Sequence, residues 1–222
     1  MKRRVILIVS IVAVLGLIVA GGWYFVHRNQ GPKLLIRAQI NLNNRQFDRA
    51  LDLARQYEAK YPDDWRGYLA EGQAQIGRAA YDEARAALEK ARGLNASDAA
   101  VAIVLSRTYS LPMERALSSD NAIALDGAAA ALGRANAILD AWSASAAQGS
   151  APKKSAVLDV KQEKGMNLAK EGVVRRRKAD LCEKEAEAQR TVGNADGAAE
   201  KVKESVTLRT EAEKTEREAL SC

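Results

Sequence analysis

An all-α architecture is what the chain predicts: a helix of membrane length, then short helical hairpins, then a long charged hairpin at the C-terminal end. Three features carry the prediction. Past residue 26 the composition is rich in Ala, Glu, Lys and Arg, with only two phenylalanines in 222 residues, the usage of packed helices. Runs of alternating β-branched residues, which would mark half-buried strands, are scarce. Two phrases, Phe47-Asp48-Arg49-Ala50 and Tyr81-Asp82-Glu83-Ala84, recur 34 residues apart, the length that one helix-turn-helix unit occupies when such units stack.

The first element is the apolar stretch Val5 to Val26, 22 positions without a charge. At about 1.5 Å per residue a helix of that length crosses a hydrocarbon core of roughly 30 Å. Lys2, Arg3 and Arg4 precede it and Trp23-Tyr24-Phe25 close it, so the positive flank holds the amino terminus in the cytoplasm and the rings suit the far interface. Residues 1–31 then form a cytoplasmic tip and a single-pass membrane anchor. The rest lies outside the cytoplasm, in the periplasm if the cell is bacterial. Val19-Ala20-Gly21 offers small residues that a signal peptidase could read, but the aromatic run and the length of the stretch favour a retained anchor. No cysteine stands directly after the segment, which excludes lipoprotein processing.

Residues 32–142 hold the repeats. In each of the two phrases an aromatic opens a helix, charged residues occupy its solvated first turn, and Ala50 or Ala84 sits where a neighbouring helix must come close. The first unit runs from about Pro32 to Asp64, with Ala38 at the small position of its first helix and Pro62 closing it. The second runs from Trp65 to Asp98, with Leu69-Ala70 as its large-small pair, Gly77 ending its first helix, and Leu88 and Ala91 continuing the inner stripe. A third first helix is expected at Ala99 to Tyr109, where Leu105-Ser106-Arg107-Thr108-Tyr109 repeats a large-small-x-x-aromatic spacing. Leu111-Pro112 then displaces its partner helix.

These residues resemble the tetratricopeptide repeat, whose pattern is a large apolar residue, Leu-Gly, an aromatic, an alanine, a second aromatic and a closing proline. The resemblance covers about 80 residues, and about 120 with the displaced helix counted. It implies an α-solenoid whose concave face, lined by the first helix of each unit, binds a protein partner. Carrying that geometry over gives Gln39, Asn43, Glu71, Gln75 and Arg107 as candidate contacts. The set is polar and of mixed charge, and lacks the Lys and Asn cluster with which some members of the family clamp a terminal carboxylate.

Leu117 to Ala147 reads as a closing helix, with Ile123, Leu125, Leu132, Ile138, Leu139 and Trp142 covering the last repeat. Residues 143–152 have the small, polar composition of a flexible joint. Beyond it, residues 153–222 carry 16 basic and 14 acidic side chains, the pattern of long salt-bridged helices, with a turn at Val192-Gly193-Asn194. Gly193 to Ala198 echoes the turn and second-helix opening of a repeat unit. Ala198, Val202, Val206, Arg209 and Ala212 form a narrow stripe at intervals of three and four residues, too thin to bury a large core. The run Arg175-Arg176-Arg177-Lys178 reads as a solvated face, since Glu171, Asp180 and Glu183 flank it. A straight hairpin keeps Cys182 and Cys222 about 27 Å apart, too far for a disulfide, leaving free thiols or an intermolecular bond.

Chemistry is sparse. The one histidine, His27, follows the apolar segment, so no nucleophile-histidine pair or zinc cluster can form in the soluble part. Neither a Walker loop nor a dinucleotide fingerprint occurs. Asp63-Asp64, Glu211 and Glu213 fall on turns or helix surfaces. No enzyme activity, metal or cofactor is expected. The net charge of +6 comes mostly from +4 in residues 1–32, so the basic isoelectric point belongs to the anchor and gives no reason to expect nucleic acid. The expected function is a membrane-anchored scaffold for a protein partner. The alternatives are a chaperone or export factor holding many clients, and a structural protein self-associating into a homo-oligomer through 153–222.

Overall fold

The computed structural model describes residues 30–117, 121–148 and 152–222; the expected membrane segment and His27 lie outside the described residues. Among these, nine helices follow one another with no strand between them: α1 (Gln30–Asn43), α2 (Phe47–Lys60), α3 (Trp65–Gly77), α4 (Tyr81–Leu94), α5 (Ala99–Ser110), the single turn α6 (Glu114–Leu117), α7 (Ala122–Gln148), α8 (Lys154–Thr191) and α9 (Ala195–Ser221). They stack as four antiparallel pairs, α1 with α2, α3 with α4, α5 with α7, and α8 with α9. The first helix of each later pair packs on both helices of the pair before it.

The 34-residue interval is written into the backbone. At the end of α1, Gln46 N donates to Asn41 O at 2.8 Å and Arg45 N to Leu42 O at 3.0 Å; at the end of α3, Ala80 N donates to Gln75 O and Ala79 N to Ile76 O, both at 2.9 Å. Both turns place a left-handed residue just past the helix, Arg45 at φ 57° and Ala79 at φ 59°, and so satisfy the last carbonyls in a Schellman arrangement. The return turns match as well. Tyr61 N bonds Tyr57 O at 2.8 Å and Asn95 N bonds Ala91 O at 2.9 Å, after which Asp64 and Asp98 cap α3 and α5 through their side chains. Tyr57 Oη donates to Asp64 at 2.5 Å and Tyr68 Oη to the Pro62 carbonyl at 3.0 Å, pinning the first return turn.

The expected large-small pair Leu69-Ala70 is two residues out of register. Gly72 holds the small position, because a Cβ there would come closer than 3.0 Å to the fully buried Leu88 of α4. Ala70 faces the other way, onto Ala38 and Ala54, while Leu69 packs among Tyr68, Ala91 and Val101. With Gly72 in that role the second unit has the same turn length as the first. Phe47, Ala50, Tyr81 and Ala84 occupy the expected places: Ala50 and Ala84 are fully buried, and the Phe47 ring lies against Gly77. In α5, Leu105 and Ser106 are fully buried, and the Tyr109 ring lies 4.9 Å from the Arg85 guanidinium carbon.

Leu111-Pro112 displaces the third partner as anticipated, and α7 takes that place. Its buried stripe, Leu125, Ala128, Leu132, Ala135, Leu139, Trp142 and Ala146, advances by three and four residues, so one face meets its neighbours along the whole length. Trp142 packs with Ala102, Leu139 and Val160 and donates to the Ser97 carbonyl at 2.9 Å. Ile123, expected inside, is 81% exposed. By length and composition α7 could cross a bilayer; in the fold it is the central helix, with Asp126 paired to Lys178 at 2.6 Å and Asp140 to Lys164 at 2.5 Å.

That packing corrects the expected domain division. The joint placed at 143–152 begins no earlier than residue 149, since Ser143 to Gln148 continue α7 and Ala146 is buried. The C-terminal hairpin is the fourth pair of the same stack, so α7 does not close it. Small residues recur every seven positions on both of its helices, Gly165, Gly172, Ala179 and Ala186 on α8 and Ala198, Ser205, Ala212 and Ala219 on α9, an antiparallel seam that lets the backbones approach. Gly172 abuts Glu216 and Gly165 abuts the Ala219 carbonyl. Val206, 59% exposed, and Arg209 lie outside the seam. At Gly193, φ 79°, the turn repeats the hydrogen bonds at Arg45 and Ala79, and Ala198 is buried where Ala50 and Ala84 are.

The basic run is solvated in part, Arg176 and Arg177 being exposed and Arg175 and Lys178 half-buried. Arg175 pairs with Glu171 at 2.7 Å and Glu211 at 3.5 Å, Arg176 with Glu216, and Lys178 with Asp126 across to α7. The run ties three helices together because its members point in different directions around α8. Both cysteines are free, Cys182 buried and Cys222 exposed. Cys222 ends beside Gly165, about 25 Å along α8 from Cys182 at helical rise.

Candidate functional site

The register sets which side chains hold equivalent positions on the first helices of the pairs. Gln39 on α1 corresponds to Gln73 on α3 and to Arg107 on α5, at successive intervals of 34. Gln73 and Arg107 line a cleft of about 400 Å³ between α3, α5 and α8, together with Ile76, Val104, Met166 and Lys170. Its walls come from three helices distant in sequence, and it mixes a partly exposed apolar floor, Met166 being 43% exposed, with polar and cationic rims. A hollow of about 540 Å³ at Lys60–Arg66 is lined by seven consecutive residues of one turn. Another, about 450 Å³, lies between the start of α4 and α7, beside Pro112.

Of the residues anticipated for the groove, Gln39 and Asn43 are exposed and hydrogen bonded to each other at 3.2 Å. Arg107 lines the cleft, but its guanidinium is held by Glu163 of α8, Nε at 3.0 Å and Nη2 at 2.7 Å. Glu71 and Gln75 are not on this face. Glu71 turns toward α2 and meets Arg55 at 3.0 Å; Gln75 is 3% exposed and accepts from Arg78 at 3.2 Å. Both lie two residues from Gln73, the position that the interval of 34 from Gln39 gives. Ala38 plus 34 gives Gly72, so the sequence carried the signal. Met166 and Lys170 had no comparable signal, since the displaced α7 breaks the interval before α8.

Glu71 belongs to a carboxyl pair at the α2–α3 seam. Burial pushes Glu58 up to about 7, and the charge of Glu71 and a hydrogen bond to it push in the same direction. In the adjoining turn, Asp64 is held down to about 2, foremost by the hydrogen bonds from the Arg66 guanidinium. Tyr57 is raised to about 12, by burial first and then by the bond to Asp64. These groups stabilise a turn and a seam away from the cleft.

No family model and no curated protein matches the chain. Among solved structures, the crystal structure of TTC0263, a thermophilic TPR protein of Thermus thermophilus, is similar at 13% identity with a TM-score of 0.49, over 83% of this chain and 98% of that one.

Proposed function

We propose that the chain is a non-catalytic scaffold, anchored in a membrane by Val5–Val26, which holds a protein partner outside the cytoplasm in its concave cleft. The observation behind this reading is the cleft itself. Half-exposed apolar groups, Ile76 and Met166, stand beside Gln73 and Lys170 at the meeting of three stacked helices, a setting suited to an anchoring side chain of a partner with polar contacts around it. The anchor reading comes from the apolar stretch and its basic flank. The seam that a homo-oligomer of 153–222 would need is occupied within the chain by α8 and α9.

The test is crosslinking in intact cells followed by purification and mass spectrometry. The full chain is compared with a variant carrying Gln39→Ala, Gln73→Ala and Met166→Ala, none of which removes a buried side chain. One dominant partner, lost in the variant, is the expected result. A broad set of clients would favour the chaperone or export reading, and a partner retained by the variant would move the binding site off the cleft.

A further inference from the structure

As the first helix among the described residues, α1 has one face that no other described helix covers. The 34-residue interval identifies it. Ile36 and Ile40 correspond to Ala70 and Ala74, which are 7% and 0% exposed and pack with residues of α2. Ile36 and Ile40 themselves are 59% and 52% exposed. Lys33 and Arg37 correspond to Gly67, which abuts Tyr57 and Glu58, and to Glu71, which meets Arg55. The end face is therefore two bulky apolar groups with two cations beside them, all exposed. Stacked repeats ordinarily need a polar terminal face, and two alanine positions have been filled here by isoleucine.

Three observations indicate what covers it. Only His27, Arg28 and Asn29 separate Val26 from Gln30, a reach of about 14 Å when fully extended, so α1 begins close to wherever the apolar segment ends. The first acidic residue in the chain is Asp48, preceded by seven Lys and Arg, so the whole approach is cationic. Pro32 stands in the first turn of α1, and a proline there disfavours a straight helical run from upstream into α1.

We propose that this end face of α1 docks on the anionic headgroup surface of the membrane that anchors the chain. Ile36 and Ile40 enter the interface while Lys33 and Arg37 meet lipid phosphates, as on an amphipathic basic helix lying in the plane of a bilayer. The inference rests on the reading of Val5–Val26 as an anchor.

The test uses the full chain, with Cys182→Ser and Cys222→Ser, in lipid nanodiscs. A single cysteine introduced by Ile36→Cys carries an environment-sensitive fluorophore, and Ile123→Cys, on another helix, serves as reference. In phosphatidylglycerol discs the label at 36 is expected to be shielded from aqueous iodide and quenched by lipid-borne spin labels, with the label at 123 open to iodide. Lys33→Gln with Arg37→Gln lowers the ratio of docked to free by about 30-fold, at about 1 kcal/mol for each cation near an anionic surface. Iodide access at 36 equal to that at 123 overturns the inference. So does shielding that is indifferent to lipid charge and vanishes when each disc holds one copy, which would mean that a second copy covers the face. Alkaline carbonate separates the two readings: extraction of the chain overturns the anchor and this inference with it, whereas retention with an exposed label at 36 overturns this inference alone.

Discussion

Arg107 gives two N–H groups to a single oxygen of Glu163, at 3.0 and 2.7 Å, across 56 residues of sequence. Glu163 is 4% exposed and the Arg107 side chain is 46% exposed, so the pair joins a buried acceptor on α8 to a half-open donor on α5. Arg107→Ala leaves that carboxylate buried without its cation. The expected loss is about 1–3 kcal/mol, below the range for wholly buried pairs because water reaches the arginine side. Denaturant unfolding of Arg107→Ala, Glu163→Gln and the double variant measures it. A double variant no more stable than the two single losses add up to would deny the coupling.

A side chain added at Gly72 collides with Leu88, which is fully buried in α4. Gly72→Ala is therefore expected to cost about 1–3 kcal/mol through overpacking. Gly133, inside α7, has nothing within 4 Å of the added carbon, so Gly133→Ala gains about 0.5–1 kcal/mol from helix propensity alone. Opposite shifts in the unfolding midpoint would confirm that the tight contact is at 72.

Glu58 carries a pH signature. Its folded value of about 7 lies above the ordinary 4.5, so the folded chain holds a proton there that the unfolded chain has released. Stability at this site is unaffected below about pH 4, falls as pH rises between the two values, and stays reduced above 7. Asp64, depressed to about 2, runs the other way: its contribution is complete above about pH 4 and is lost on further acidification. Glu58→Gln should raise the unfolding midpoint at pH 8 and have much less effect at pH 4. An equal effect at both would mean that the carboxyl ionises normally.

What the sequence disclosed is the part that repeats. The phrases at Phe47 and Tyr81, the units Pro32–Asp64 and Trp65–Asp98, and the turn at Gly193 follow from local chemistry: small residues at close approaches, acids at helix starts, a left-handed residue at a helix end. The misses within the first two units share one cause. Leu69-Ala70 offered a large-small pair near the expected place, and only the contact of Gly72 with Leu88 shows which small residue the neighbouring helix requires. That two-residue slip carried Glu71 and Gln75 to the wrong face. The Glu171–Arg175 pair, four residues apart, is local, but Met166, Lys170 and the cross-helix partners of Arg175, Arg176 and Lys178 depend on how α8 crosses α5, α7 and α9, and no spacing within α8 encodes that.

The three equivalent turns make a prediction in both directions. Arg45 and Ala79 hold φ near 57° and 59° where Gly193 holds 79°, and the hydrogen bonds around them have the same pattern. A residue with a Cβ loses roughly 1–2 kcal/mol in that region, partly offset by the extra unfolded-state freedom that glycine brings. Ala79→Gly should then stabilise the chain by about 0.5–1 kcal/mol, and Gly193→Ala should cost about 1 kcal/mol. Each would move the thermal midpoint by a few degrees, at about 2–4 °C per kcal/mol for a chain of this size. Ala79→Gly reports on the turn alone, since Ala79 lies outside both flanking helices and its side chain is exposed. If it left the midpoint unchanged while Gly193→Ala lowered it, the left-handed geometry would be a requirement of the α8–α9 seam and not of the turn common to the repeats.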